Sequence, residues 1–254
     1  MKNTLKTFIG IGLLMMGGGI AGAAGRGALI EFETVEAETV KDVPVAKQLK
    51  DFPDGKVFRY NIKGVLPVAG NQTGLKALRD TLMTRAGITD AATGVAMKSY
   101  SQAAEGPGSL YVDIDVKTFD TRFLVYEVSN EIYYSGAAHP STITHNFSYF
   151  IPEGKMLTTC DVLKCDAKDK VLGLVRDKLK NPDTGTFEDA WKTAQLPGDY
   201  VIDGNGVTFI YQPYEVGPYA AGLIKVPLYY WELESNGCLK PGVYKKMTGI
   251  DPTI

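Results

Sequence analysis

Alternating apolar and polar positions predict strands along much of this chain. Residues 28–33 are strand-like, and residues 56–65 alternate with the period of two that is typical of a half-buried strand. The strongest β signal lies in the middle of the chain, where residues 111–116 are followed by aromatic and β-branched runs at residues 123–134 and 142–151. Because the connections between these three runs are short, we expect them to form an antiparallel meander.

Two carboxylates, Asp113 and Asp115, lie on one face of the strand predicted at residues 111–116. Such a pair can serve as an acid–base couple in catalysis. Their alternation with Val112 and Ile114 also makes them the solvent-facing side of an amphipathic strand. We adopt this second interpretation.

The first helix is predicted between residues 56–65 and the meander. Its apolar residues recur at i, i+3 and i+7, at Leu75, Leu78 and Leu82. Thr73 is a candidate N-cap. Gly87 is expected to end the helix, because glycine is the usual residue just past a helix C-terminus.

Two more helices are predicted further along the chain. One spans residues 166–179 and has Asp166 as its candidate N-cap. A short third helix is predicted to begin at Thr186 and to carry Trp191, because Thr186 is followed three residues later by an acidic residue.

Two last strands are predicted at residues 206–211 and 223–231. Pro227 lacks an N–H group for a sheet ladder, so it marks the second of these as an edge strand or a bulge. Strands interrupted by isolated helices, without regular βαβ alternation, indicate an α+β fold. We expect an antiparallel sheet with two or three packed helices, in two sub-domains.

The N-terminal residues have the layout of a secretory signal peptide. Lys2 and Lys6 supply positive charge, residues 8–16 form a short apolar core, and Ala21 and Ala23 flank a glycine at a small-x-small cleavage site. We expect cleavage after Ala23 and a periplasmic or secreted mature protein. An uncleaved N-terminal anchor is the alternative.

These patterns predict four regions. They are a signal peptide at residues 1–23, an N-terminal strand and helix sub-domain at 24–105, a C-terminal α+β domain at 106–240 and a tail at 241–254.

The charge of the chain argues against nucleic acid as a partner. There are 27 Lys and Arg residues against 29 Asp and Glu residues. Loss of Lys2 and Lys6 with the signal peptide makes the chain slightly more acidic, and no basic stripe suited to a phosphate backbone is present.

Three cysteines, Cys160, Cys165 and Cys238, remain after export. In an oxidising compartment two of them can pair. A Cys160–Cys165 staple and a Cys165–Cys238 bridge to the C-terminal region are both reasonable. A zinc site is not expected, because such sites usually take four ligands and few histidines are available. We expect no metal and no cofactor.

Local catalytic motifs are absent from the sequence. It contains no G-x-S-x-G elbow, no phosphate-binding glycine loop and no H-E-x-x-H pair. Ser135 precedes His139 by four residues, but a nucleophile and a base must meet in space with a third group orienting the base. We therefore interpret His139 as a residue that forms hydrogen bonds in its loop.

Residues 211–222 form an unusual segment that contains three tyrosines, two prolines and Glu215. Pro213 and Pro218 restrict the backbone, so the loop loses less entropy when it becomes ordered. Tyr214 and Tyr219 combine an apolar ring with a polar tip, which is typical of recognition surfaces. The same rings could instead close one end of the sheet.

Three segments together resemble one family of exported proteins. They are Tyr-Ser-Gly-Ala-Ala-His-Pro at 134–140, Gly-Lys-Met-Leu-Thr-Thr-Cys-Asp-Val-Leu at 154–163, and the loop at 211–222 followed by Leu-Ile-Lys-Val-Pro. They are similar to the domain of unknown function that is shared by the RsiV-type anti-sigma factor ectodomain and the accessory region of some polysaccharide deacetylases. The resemblance covers residues 107–235, and residues 50–90 are similar to the domain that precedes it.

The resemblance implies an exported module of sheet and helices whose relatives include a lysozyme-binding ectodomain. Four residues are our ligand-binding candidates: Tyr214, Glu215, Tyr219 and His139. Four others are structural motif residues: Gly136, Asp161, Pro213 and Pro218. This chain has Ser135, Gln212 and Leu223 where the family usually has Gly, Asn and Pro. Since family membership does not fix a ligand, lysozyme is one candidate partner among envelope proteins and glycans.

Two main functions follow as hypotheses. The first is an envelope binding module that recognises a protein or glycan and has no catalysis of its own. The second is a cell-wall hydrolase that uses Glu215 with His139 or Asp161, which requires these side chains to converge on an open cleft. A structural subunit of an envelope complex is a third possibility, and it would show a large exposed apolar patch.

Overall fold

The computed structural model describes residues 8–12, 30–42, 57–88 and 107–250. The strands, in chain order, are β1 (Phe8–Gly12), β2 (Glu31–Asp42), β3 (Val57–Val68), β4 (Gly108–Phe119), β5 (Phe123–Tyr134), β6 (Ser141–Phe150), β7 (Lys155–Met156), β8 (Asp199–Ile202), β9 (Gly206–Tyr211) and β10 (Ile224–Tyr229). The α-helices are α1 (Thr73–Ala86), α2 (Thr159–Val162), α3 (Lys168–Leu179), α4 (Ala190–Thr193), α5 (Tyr230–Ser235) and α6 (Val243–Thr248).

The strands form two sheets. Strands β1 to β7 follow one another in the first sheet in chain order, and β10, β9 and β8 form the second, with β9 in the centre. The α+β class is confirmed. The first sheet is mixed, however, because β3 pairs parallel with β4. A parallel pair needs a crossover connection, and the residues between β3 and β4, which include α1, provide it.

The chain divides into two compact units. The first comprises residues 1–116 and 127–142, and the second comprises residues 117–126 and 143–254. The division falls within β4, β5 and β6, so each of these strands contributes residues to both units.

In the first unit, α1 packs its leucine face against β3. The predicted residues Leu75, Leu78 and Leu82 are all fully buried. Gly87 ends the helix as predicted, with a left-handed φ of 71°. The N-cap is Gln72 and not Thr73, which is the first helical residue.

The interpretation of Asp113 and Asp115 as solvent-facing residues is confirmed. Along β4 the apolar Val112 and Ile114 are buried, while the two aspartates are at least partly exposed. The Lys63 ammonium lies 3.3 Å from the Asp113 carboxylate, so this aspartate takes part in a surface ion pair.

In the second unit, α3 packs against β10 and presents Val171, Val175 and Leu179 to the core. The helix begins at Lys168, so Asp166 is not its N-cap. Residues Cys165–Ala167 form a 3₁₀ turn instead. The Ala167 N–H donates to the Lys164 carbonyl 3.0 Å away, and this i→i+3 bond tightens the entry to the helix.

The third predicted helix exists and carries Trp191, but it begins at Ala190. Thr186 does not cap it. The Thr186 hydroxyl lies 3.3 Å from the Leu179 carbonyl and donates to it at the end of α3. The capping box of this unit lies at α2 instead, where Thr158 and Asp161 bond each other's backbone.

The second sheet and the C-terminal helices complete this unit. Pro227 lies in β10 at the sheet edge, as predicted. Strand β10 ends at Tyr229, where the sequence pattern predicted two more strand residues, and α5 follows directly. Helix α6 lies within the predicted tail and buries Val243 and Met247.

The predicted signal peptide lies mostly outside the described residues. Its residues Phe8–Gly12 form β1, which pairs antiparallel with β2 so that Phe8 lies opposite Glu36. Within the described part of the chain, no helix is long and apolar enough to cross a membrane.

Candidate functional site

The loop at residues 211–222 joins β9 to β10 and is closed by its own backbone bonds. The Tyr214 N–H donates to the Gly217 carbonyl at 3.0 Å, and the Glu215 N–H donates to the Gln212 carbonyl at 3.1 Å. Tyr214 has a left-handed φ of 72°, which is rare for a bulky side chain. Strain of this kind persists only where the surroundings hold it in place, and it often marks a functional position.

Gln212 anchors this loop to the neighbouring strand β6. Its side-chain oxygen accepts a hydrogen bond from the Thr144 N–H at 3.0 Å, and its side-chain nitrogen donates to the Thr144 carbonyl at 3.1 Å. The same nitrogen lies 3.3 Å from an Asp199 carboxylate oxygen. The side-chain amide therefore pairs with the backbone of Thr144 as a strand residue would.

Asp199 continues this network beneath the loop. Its carboxylate accepts two hydrogen bonds from Asn146, one from the backbone N–H and one from the side-chain amide, both at 2.8 Å. Burial raises the pKa of Asp199 above its ordinary value, although the bonds from Asn146 and the charge of His145 oppose this effect. Thr144, Asn146, Asp199 and Gln212 thus form one connected polar base for the loop.

The far side of the loop is held by close packing. Val216 is buried, and its carbonyl accepts a hydrogen bond from the Phe187 N–H at 2.9 Å. A Cβ atom at Gly217 would lie 2.5 Å from the Ile224 side chain and 2.9 Å from the Gly185 carbonyl. Only glycine fits at this position without displacing its neighbours.

The loop carries two neighbouring aromatic rings. The Tyr214 and Tyr219 ring centroids are 5.9 Å apart with an interplanar angle of 30°. The Tyr214 side chain is 59% exposed, and Tyr219 is half-buried. Pro218 is the N-cap of the 3₁₀ turn Tyr219–Ala221, and Pro213 precedes Tyr214. We refer to Tyr214 and Tyr219 as the tyrosine pair.

Glu215 is exposed and closes the turn from the solvent side. Its carboxylate accepts a hydrogen bond from the Gln212 N–H at 2.7 Å. Burial is the main reason that the pKa of Tyr211 is raised to about 12, and the negative charge of Glu215 adds to this effect. The Tyr211 hydroxyl stays protonated at neutral pH and donates to the Gln195 carbonyl at 2.7 Å.

Asp161, one of the structural motif residues, belongs to the capping box at the start of α2. Its carboxylate accepts hydrogen bonds from the Thr158 N–H and hydroxyl, both at 2.8 Å, and from the Lys155 ammonium at 2.7 Å. Burial alone would raise the pKa of Asp161, but the bonds from Lys155 and Thr158 outweigh it and lower this pKa to about 2. A carboxyl group with so low a pKa is a poor proton donor or acceptor near neutral pH.

His139 and Gly136 lie in the turn between β5 and β6, which belongs to the first unit. His139 is exposed, and its Nδ1 atom is 2.7 Å from the Pro140 carbonyl. Gly136 adopts a φ of 92°, so the turn uses the conformational freedom that glycine provides. The tyrosine pair and Glu215 belong to the second unit.

The cysteine pairing is local. Cys160 and Cys165 form a disulfide with their Cα atoms 5.5 Å apart, and Cys238 is a free, fully buried thiol. Burial raises the pKa of the Cys238 thiol, although Lys170 and Lys164 oppose this effect. Among the described residues, no group of three or more His, Cys, Asp or Glu side chains is placed to hold a metal ion.

Comparison with known proteins gives a family domain and a fold. Residues 161–230 match the family model of DUF3298, described as a protein of unknown function. This match confirms the coarser part of the resemblance, a family domain of unknown function within residues 107–235. A comparison with curated proteins finds no significant match.

Two solved structures of DUF3298 family proteins are similar to this chain. One, from Bacteroides fragilis NCTC 9343, has a TM-score of 0.61 and 17% identity, with 87% of this chain and 98% of that chain covered. The other, from Pseudomonas aeruginosa PAO1, has a TM-score of 0.60 and 18% identity, with 85% of this chain and 96% of that chain covered. At these identities the similarity shows the fold alone.

Proposed function

We propose that this chain is an exported binding module of the cell envelope, and that it recognises a protein or glycan ligand through the tyrosine pair. The observation that carries the proposal is the exposure of Tyr214 on a backbone held in a left-handed conformation. A tyrosine that only filled the core would not need to be both exposed and strained.

The loop beneath the tyrosine pair supports recognition because it is already ordered. Gln212 bonds it to β6, Val216 is buried under it, and Gly217 packs against two neighbouring segments. Binding to a preordered surface costs less conformational entropy than binding to a mobile loop. Tyrosine provides a large contact area with few rotatable bonds, so it suits such a surface.

The cell-envelope location is supported by two features of the chain. Its N-terminus has the layout of a signal peptide, and the Cys160–Cys165 disulfide suits an oxidising compartment. The resemblance to the anti-sigma factor ectodomain adds lysozyme as a specific protein candidate, and the deacetylase relatives add cell-wall glycans.

The hydrolase alternative has no comparable support. It assigns Asp161 or His139 to work with Glu215. Asp161 is fully occupied by its capping bonds and the Lys155 ion pair, and Glu215 bonds the backbone of its own turn. Both carboxylates thus have structural roles.

A binding titration tests the proposal. The purified mature chain is immobilised and titrated with lysozyme and, separately, with soluble peptidoglycan fragments, at low and moderate salt. We expect saturable binding of one of these two ligands. Because aromatic contacts are screened little by salt, most of the affinity should persist at moderate salt. The Tyr214→Ala/Tyr219→Ala double variant should bind at least about tenfold more weakly, as expected for two aromatic residues at the centre of an interface.

The matched control is a second exposed aromatic pair in the same unit. Tyr229 and Trp231 stack with their ring centroids 6.4 Å apart, and Trp231 is 62% exposed. The Tyr229→Ala/Trp231→Ala double variant should keep the wild-type affinity. The proposal is wrong if neither ligand binds, or if the two double variants lose affinity equally.

A further inference from the structure

A cavity of about 350 Å³ lies in the second unit and shares no lining residue with the loop that carries the tyrosine pair. Its walls come from residues 159–165, from the start of α3, from residues 196–200 and from β9. This volume is within the range of pockets that bind small molecules in proteins, about 300–1,000 Å³.

The inner wall of the cavity is apolar. Leu163, Val171 and Phe209 contribute to it, and all three are buried residues of the core of this unit. Leu196 adds a further apolar, partly buried side chain. A ligand that enters the cavity therefore exchanges contact with water for contact with hydrocarbon, which favours an apolar body.

The outer wall carries positive charge. The exposed residues Lys164 and Lys168 both line the cavity. The Lys164 ammonium donates to the Gly237 carbonyl at 2.8 Å. Within the described residues, no hydrogen bond or ion pair engages the Lys168 ammonium, and the acidic residues beside it in the sequence, Asp166 and Asp169, do not line the cavity. Lys168 is thus available to a ligand.

Tyr200 also lines the cavity and is only partly buried. Burial raises the pKa of Tyr200, and the charges of Asp161 and Asp199 add to this effect. A backbone hydrogen bond from Thr159 opposes it. The phenol therefore stays protonated at neutral pH and can donate a hydrogen bond. The Cys160–Cys165 disulfide also lines the cavity and closes the short loop between these two residues.

From this lining we propose that the cavity is a binding site for a small, soluble amphiphile with an apolar body and one anionic group. The apolar wall takes the body, Lys168 and Lys164 take the anionic group, and Tyr200 orients a polar atom of the ligand. A cavity of this size has room for a single chain or an aromatic body, and not for both chains of a phospholipid. The site is independent of the tyrosine pair and of the function proposed for it.

A pair of fluorescent probes that differ by one charge tests this site. Anilinonaphthalenesulfonate is an apolar aromatic body with a sulfonate, and N-phenylnaphthylamine is the same body without it. We expect the anionic probe to bind the folded mature chain at one saturable site, with at least about fivefold higher affinity than the neutral probe. The Tyr214→Ala/Tyr219→Ala variant should bind it equally well, because the two sites share no residue.

Two variants separate the charge from the volume of the site. Lys168→Ala should lower the affinity for the anionic probe about threefold to tenfold and leave the affinity for the neutral probe unchanged. Lys225 is exposed and lies outside the cavity, so Lys225→Ala should change neither affinity. Gly198→Trp should weaken both probes at least tenfold, since Gly198 lines the cavity and a Cβ there meets no atom within 4 Å. If Gly198→Trp does not fold, Lys168→Glu replaces it, and it should abolish the preference for the anionic probe.

Three outcomes would overturn the inference. They are non-saturable binding of the anionic probe to the native chain, equal affinity for both probes, and an affinity for the anionic probe that Lys168→Ala leaves unchanged. Circular dichroism of each variant confirms that the probe is reporting on folded protein, because such dyes also bind partly unfolded chains.

Discussion

The side-chain amide of Gln212 forms two hydrogen bonds with the backbone of Thr144, a residue 68 positions earlier in the chain. The amide oxygen accepts from the Thr144 N–H and the amide nitrogen donates to the Thr144 carbonyl, at 3.0 Å and 3.1 Å. Because Thr144 is buried, water cannot replace these bonds easily. The loop that carries the tyrosine pair is therefore fixed to strand β6 through one side chain.

Replacing Gln212 should lower stability. In Gln212→Ala the Thr144 backbone loses both bonds and Asp199 loses a donor, so we expect the free energy of unfolding to fall by about 1–3 kcal/mol. Chemical denaturation at neutral pH measures this change. The exposed Gln195→Ala is the control and should stay within about 0.5 kcal/mol of wild type. Equal losses in the two variants would show that Gln212 is not an anchor.

The strained backbone at Tyr214 gives a second prediction. A left-handed conformation costs an L-residue about 1–2 kcal/mol, while glycine adopts it freely but loses about 0.5–1 kcal/mol through the entropy of the unfolded chain. We therefore expect the free energy of unfolding of Tyr214→Gly to stay within about 1 kcal/mol of the wild-type value, despite the loss of a large side chain.

Tyr219→Gly is the matched variant for this measurement. Tyr219 does not have a positive φ and is half-buried, so glycine relieves no strain there and removes packing. It should destabilise the chain clearly more than Tyr214→Gly does in the same denaturation experiment. A loss at Tyr214 as large as that at Tyr219 would mean that the Tyr214 ring contributes to stability.

Asp161 makes stability depend on pH in the acidic range. Its pKa is lowered in the folded protein from 3.8 to about 2, so its charged form stabilises the fold above pH 4. This contribution is lost as the pH falls towards 2. Asp161→Asn should therefore lower the free energy of unfolding by about 1–2 kcal/mol at pH 7, a range that allows for solvent screening, and by much less near pH 2.

Denaturant midpoints of wild type and Asp161→Asn between pH 2 and pH 7 measure this convergence. Asp177→Asn is the control, because the Asp177–Lys180 ion pair lies on the surface and contributes little. A difference between wild type and Asp161→Asn that stays constant down to pH 2 would contradict the role given to the Asp161 charge.

The disulfide should stabilise the second unit modestly. It closes a short loop with a sequence separation of 5, and chain entropy assigns about 2 kcal/mol to a loop of this size. Reductant should lower the denaturation midpoint of the wild type and leave that of Cys160→Ser/Cys165→Ser unchanged. Peptide mapping under non-reducing conditions should find the Cys160–Cys165 pair. Cys238 should react with an alkylating reagent only after the chain is unfolded, because its thiol is buried. A Cys165–Cys238 peptide would contradict the structure.

The sequence predicts those elements of the fold whose signals are local. Alternation in residues 111–116 and the spacing of Leu75, Leu78 and Leu82 each lie within one element, so they identify β4 and the buried face of α1. The third helix begins later than the sequence pattern predicts, because the Thr186 hydroxyl has a competing partner in the Leu179 carbonyl. That competition depends on tertiary structure.

The candidate site could be predicted only in part. The composition of residues 211–222 identified Tyr214 and Tyr219 as surface candidates, because tyrosine and proline act through local properties. In the sequence, Gln212 stands out only as a departure from the family pattern. Its role depends on Thr144, which no local window of sequence brings near it. The left-handed backbone at Tyr214 also runs against the preference of its residue type, so no propensity could have indicated it.

Hydroxyl-radical footprinting of the mature chain, with and without saturating lysozyme or peptidoglycan fragments, tests most directly whether the tyrosine pair is the recognition surface. We predict that one of these ligands protects Tyr214 from oxidation, while Trp231, which is similarly exposed, keeps its rate. Unchanged oxidation of Tyr214 with both ligands, or protection of Trp231 in its place, would contradict the account.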